Sequence, residues 1–106
     1  MQVADGVRIW SDGQQEAGLS LDDAALLLSS MSNKMRLRAL LRLTEREWSV
    51  NELCRELGIS QSALSQHLGK LRHANLVRVR VDSQARYYRC ESDLVIRLLS
   101  QLGLRG

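Results

Sequence analysis

The sequence predicts a mainly α-helical domain with one small β-hairpin near its C-terminal end. Three observations carry this prediction. Apolar residues recur at three- and four-residue spacing in five stretches, most of them opened by a serine or asparagine able to cap a helix. One late stretch, Leu76 to Val81, alternates instead with period two and is rich in valine. There is no proline in the 106 residues, which suits helices joined by short connections.

Met1 to Gly18 holds Gly6, Gly13 and Gly18 with scattered acids and no clear period. It is expected to be a flexible arm, with at most one ordered turn around Val7, Ile9 and Trp10. Residues 19–106 then form the folded domain. Ser20 opens the first helix, with Asp22 and Asp23 in its first turn. The run to Met31 is apolar nearly all round, through Ala24, Ala25, Leu26, Leu27 and Leu28, and so needs cover on more than one side. Ser32 or Asn33 opens the second helix, which runs to about Glu45, with Met35, Leu37, Leu40, Leu41 and Leu43 inward and Arg36, Arg38 and Arg42 outward. Trp48 to Val50 is a short extended link.

Asn51 to Leu57 forms a short third helix, and Gly58 ends it. Ile59 plugs the turn and Ser60 caps a fourth helix that fades near Asn75. Helix, glycine turn and helix at this spacing make a helix-turn-helix. Asp82, Ser83 and Gln84 form a polar turn after the first strand, and Arg86 to Cys90 returns as the second. The hairpin is a wing whose tip and outward face are expected to carry Arg78, Arg80, Gln84 and Arg86. Ser92 caps a last helix with Leu94, Val95, Leu98, Leu99 and Leu102 in a broad apolar stripe. The first and last helices together have more apolar surface than so small a domain covers alone. Leu26, Leu27, Leu94, Val95, Leu98, Leu99 and Leu102 are therefore expected to pair two copies of the chain.

The fourth helix is the stretch that points to function. Leu64, Leu68 and Leu71 make its apolar face, while Ser62, Ser65, Gln66, Gly69 and His73 fall on or near the other. That face is short-chained and free of carboxylates, with Lys70 and Arg72 at its far end. Such a helix can enter a major groove, offer amides and hydroxyls to base edges and set cations near phosphates. Charge agrees. Met1 to Ser32 has one base against five acids, whereas Asn33 to Cys90 has twelve bases against five. A polyanion would meet the middle of the chain. The expected DNA-contacting residues on this helix and the wing are Ser62, Ser65, Gln66, His67, Lys70, Arg72, Arg78, Arg80, Gln84 and Arg86.

Other classes are disfavoured. No carboxylate pair, Ser–His–Asp grouping or glycine-rich phosphate loop stands at useful spacing, so an enzyme is not expected. No apolar run approaches a membrane span, and the N-terminus lacks the pattern of a secretory signal. Two cysteines do not make a disulfide framework, and the expected location is cytoplasmic. No cofactor is expected.

The segments MSNKMRLRALL and SVNELCRELGISQSALSQHLGKLRHANLVRVRVDSQARYYRC resemble the ArsR/SmtB family of winged-helix repressors, most closely its NolR/HlyU/BigR-like branch. The resemblance runs from about Leu21 to Leu102. It implies a winged helix-turn-helix of five helices with a short strand before the third, dimerised through its first and last helices. It also implies a homodimer that binds operator DNA and blocks transcription. Base contacts would come from Gln61, Ser62, Ser65 and Gln66, and phosphate contacts from the third helix and the wing.

Many relatives in that family sense metals or thiol oxidation. The soft-metal sensors place two thiolates one residue apart on the third helix, where this chain has Cys54 and then Glu56. The zinc sensors use Asp and His on the last helix, where only Asp93 is offered. No metal site is expected, because the ligand count falls short of four. The thiol sensors carry cysteines on the second and last helices, whereas Cys54 and Cys90 stand elsewhere. Cys54 and Cys90 are either two structural cysteines or a redox pair, with some thiolate character at Cys90 beside Arg89. The same sequence is also compatible with a metal-responsive repressor or with a winged-helix protein-interaction module.

Overall fold

Local capping chemistry starts each helix within one residue of where the sequence places it; the third takes in Val50, which the sequence reading assigns to the extended link. The computed structural model describes residues 18–104. The arm expected over Met1 to Gly18 therefore lies, apart from Gly18, outside the described residues. Helix α1 spans Leu21–Met31, and the Ser20 hydroxyl accepts the Asp23 N–H at 3.0 Å. Helix α2 spans Lys34–Glu45, with Asn33 Oδ1 accepting from Met35 and Arg36 N–H. Strand β1 is only Trp48–Ser49, and α3 follows at once over Val50–Leu57. A capping box opens α3: Ser49 accepts from Glu52 N–H while the Glu52 carboxylate accepts from Ser49 N–H. Gly58, at φ 69°, takes the left-handed turn that ends it.

Helix α4 spans Gln61–His73, opened by Ser60. It stops at Asn75, whose φ of 64° is the left-handed geometry that asparagine tolerates at a helix end. The Leu76 N–H then turns back to the Leu71 carbonyl at 2.9 Å. This return draws Leu76 and Val77 into the core, so strand β2 begins later than the alternation suggests, at Arg78–Asp82. Strand β3 spans Ala85–Arg89, and α5 spans Asp93–Leu102 behind its Ser92 cap.

The three strands form an antiparallel sheet in the order β1-β3-β2. Trp48 faces Tyr88 across the first pair, and Val79 faces Tyr88 across the second. The core lies between sheet and helices, built from Leu40, Leu43, Leu53, Leu64, Leu68, Leu71, Leu76 and Val95. The Cys90 N–H donates to the Leu43 carbonyl at 3.0 Å and ties the end of the wing to α2. No described helix is long and apolar enough to cross a membrane.

Two expectations about α1 and α5 change. Leu27, Val95 and Leu99 are buried in the protomer's own core, at 3%, 0% and 4% exposure, so they are not available as a pairing surface. A one-residue step around the helix puts Leu28 outside in place of Leu27. The apolar surface left open centres on Leu28 and Leu102, which with Leu37, Leu98 and the edge of the buried Met31 line a shallow pocket between α1, α2 and α5. Leu28 and Leu102 are each more than half exposed, and Leu26, Leu94 and Leu98 are partly buried against the core.

Candidate nucleic-acid interface

Helix α4 is fixed from beneath by Leu64, Leu68 and Leu71, all buried. The same helix leaves Gln61, Ser62, Ser65, Gln66, Gly69, Lys70 and Arg72 exposed. The side-chain amide of Gln61 is not left to wander: its Nε2 donates to Asn51 Oδ1 of α3 at 3.0 Å. Between the wing side of α4 and the hairpin lies a cleft of about 620 Å³. Ser62, Ser65, Gly69 and Arg72 border it on one side, and Gln84, Arg86 and Tyr88 on the other. No acidic residue lines this cleft.

The wing divides its arginines between two faces. Arg80 pairs with Tyr87 and Val81 with Arg86, so Arg86 shares a face with Val79, Val81 and Tyr88 while Arg78 and Arg80 share the other. Only the first of these faces borders α4. The expectation that Arg78, Arg80 and Arg86 point together is therefore corrected. The arginines on the outer face are already matched by carboxylates. Arg80 grips Glu47 through two nitrogens, at 2.7 and 3.0 Å, and lies over the Tyr87 ring at 4.5 Å. Arg78 and Arg89 both approach Glu91. The hydrogen bond from Arg80 holds the Glu47 carboxyl below its ordinary pKa, and the guanidinium is raised in turn. Arg80 thus braces the hairpin against the end of α2, leaving Arg86 and Gln84 as the wing residues beside the reading helix.

His67 is also reassigned. It is half-buried on the inner flank of α4, with Nδ1 3.3 Å from Arg36 Nη1. Burial lowers its pKa first, and the charges of Arg36 and Lys70 lower it further. The neutral ring accepts from Arg36, whose Nε donates to the Ser30 carbonyl at 2.6 Å. Arg36 is therefore a half-buried strut between α1, α2 and α4, and not the outward solvating residue that helical spacing suggests. Asn51, Glu47 and Arg36 all escaped the sequence reading, since each acts on a residue 10 to 33 positions away.

The two thiols do not form a disulfide. Cys54 is partly buried against the core on α3. Cys90 is 1% exposed, and burial pushes its thiol up to about 11, which overturns the expected thiolate character beside Arg89. Among the described residues no group of three or more His, Cys, Asp or Glu side chains could hold a metal ion.

Comparison with known proteins decides the family. Residues 33–79 match the family described as bacterial regulatory protein, arsR family. The transcriptional activator HlyU of Vibrio cholerae is 41% identical over 88 residues, covering 83% of this chain and 82% of that protein. The chain belongs to the arsR family of bacterial regulatory proteins. The nodulation protein NolR of Rhizobium meliloti is 49% identical over 79 residues, which cover 74% of this chain and 65% of NolR. The crystal structure of the transcriptional repressor BigR from Xylella fastidiosa superposes with a TM-score of 0.72 at 36% identity, covering 76% of this chain and 83% of BigR. This arsR-family chain is a winged helix-turn-helix protein and a DNA-binding transcriptional regulator. Its α3–α4 pair is the helix-turn-helix and its β2–β3 hairpin the wing.

Proposed function

We propose that the chain is a homodimeric, cytoplasmic repressor that reads an inverted-repeat operator with α4. One observation carries this reading: the exposed flank of α4 is polar and carboxylate-free, and it opens onto a cleft closed by Arg72 and Arg86. Base edges would be met by Gln61, Ser62, Ser65 and Gln66, through amides and hydroxyls suited to major-groove donors and acceptors. Phosphates would be met by Lys70, Arg72, Gln84 and Arg86. The apolar surface around Leu28 and Leu102 supports pairing, since a protomer of this size gains from covering it. Two twofold-related α4 helices set about one DNA turn apart, roughly 34 Å, would demand a palindromic site.

Selection of bound fragments from the genome, followed by gel shifts on the recovered site, tests this reading. Gln66→Ala is expected to relax preference at one symmetric position per half-site, by about 1–3 kcal/mol of discrimination. A sequence preference identical to wild type would remove Gln66 from the groove. Burial of Cys90 weighs against a thiol switch as a second reading. Operator affinity unchanged by peroxide is the outcome expected.

A further inference from the structure

Viewed down its axis at about 100° per residue, α4 has two flanks on either side of one crest. Ser65 and Arg72 turn toward the wing cleft; Gln66, Lys70 and His73 turn the other way; Gly69 borders both. On that second side lies another groove, of about 590 Å³, walled by Ser29 and Ser30 of α1 and by Arg36 of α2. Arg36, Lys70 and His73 enter it, and no acidic residue lines it. The acids of α1, Asp22 and Asp23, sit in its first turn, at the far end from Ser29 and Ser30.

The Arg36 guanidinium is held in place by Ser30 and His67, which use two of its five N–H donors. The others remain for the groove it lines. A fixed guanidinium beside a flexible lysine is a donor set for phosphate oxygens, and the exposed Ser29 hydroxyl, which donates to the Leu26 carbonyl at 3.3 Å, can turn to join it.

A helix about 10–12 Å across fills a major groove about 12 Å wide and so meets a phosphate strand along each edge. We propose that the α1–α2–α4 groove seats phosphates of the strand bordering the far edge of the major groove, while the wing cleft meets those of the near edge. This rests on the DNA reading given above. The recognition helix is then clamped between two backbones, and α1, the helix beside the apolar pairing surface, takes part in the grip through Ser29.

Phosphate-ethylation interference on the selected duplex, with salt titration of the full chain, tests the clamp. Wild type is expected to show two sensitive phosphate runs per half-site, one on each strand. Lys70→Gln should erase one run and leave the other, and Arg86→Gln should do the reverse. Each single variant should lower the slope of log K against log salt by about 0.9, the value for one phosphate contact. Ser29→Ala, which removes no charge and leaves the core untouched, should weaken the Lys70-dependent run alone. A Lys70→Gln protein with wild-type interference and slope overturns the proposal, as does loss of the same run in both charge variants. A wild-type chain that binds no duplex at low salt sinks the DNA reading itself, and is seen before any variant is made.

Discussion

At the scale of single residues, the half-buried His67 and the buried Cys90 give opposite and measurable behaviour. His67 has its pKa lowered from the ordinary 6.5 by burial, with Arg36 and Lys70 adding repulsion. A depressed imidazole pKa means that the unfolded chain binds the proton more readily than the folded one. Stability from this group is fully present above the ordinary value and is lost as pH falls below it and through the folded pKa. Thermal melts across that range should therefore slope downward on acidification, and His67→Gln should flatten the slope. Cys90 behaves differently, because its thiol is both sealed and held at about 11. Iodoacetamide at neutral pH should label folded protein at Cys54 in preference to Cys90, with both labelled in denaturant. Mass spectrometry of the labelled peptides checks this.

At the scale of elements, α4 contains a residue that its own protein does not require. Gly69 is exposed, has helical geometry, and a Cβ built there meets nothing within 4 Å. Glycine inside a helix is less stable than alanine by roughly 0.5–1 kcal/mol. Gly69→Ala should raise folding stability by about that amount in urea denaturation, while lowering operator affinity, because the added methyl stands on the crest proposed to approach the duplex. Equal or better binding would leave the glycine without a role. The wing shows where sequence reading of an element reaches its limit. Caps at Ser20, Ser60 and Ser92 were legible, and that of the second helix to within Ser32 or Asn33, because a cap is set by residues within three positions. The face of Arg86 was not. A three-residue turn over Asp82, Ser83 and Gln84 would have put Arg80 and Arg86 on one side; the observed pairing of Asp82 with Ala85 leaves a two-residue turn and flips the returning strand. Likewise Leu27 and Leu28 differ by about 100° on a helix apolar nearly all round, and only the packing of α1 chooses between them.

At the scale of the whole molecule, the fold was legible and its cross-links were not. Helix-turn-helix and wing follow from local periodicity, glycine and turn chemistry. The bonds Glu47–Arg80, Asn51–Gln61 and Arg36–His67 join elements that only tertiary structure brings together, so no spacing rule marks them. The same holds for the surface around Leu28 and Leu102, which composition announces and packing locates. Leu102→Glu, at an exposed position, should leave the circular dichroism spectrum intact, shift sedimentation toward a single protomer and weaken operator binding by more than about tenfold. An unchanged sedimentation coefficient would place the pairing surface elsewhere. If the chain pairs through that patch, as proposed, the patch would also set how a promoter responds to the abundance of its regulator. Where two chains must meet before either holds DNA firmly, occupancy of an unsaturated site follows the square of chain concentration, and halving the copy number removes about three quarters of it. In the proposed dimeric repressor, a few exposed leucines would thereby make the onset of transcription steeper than the dilution that causes it.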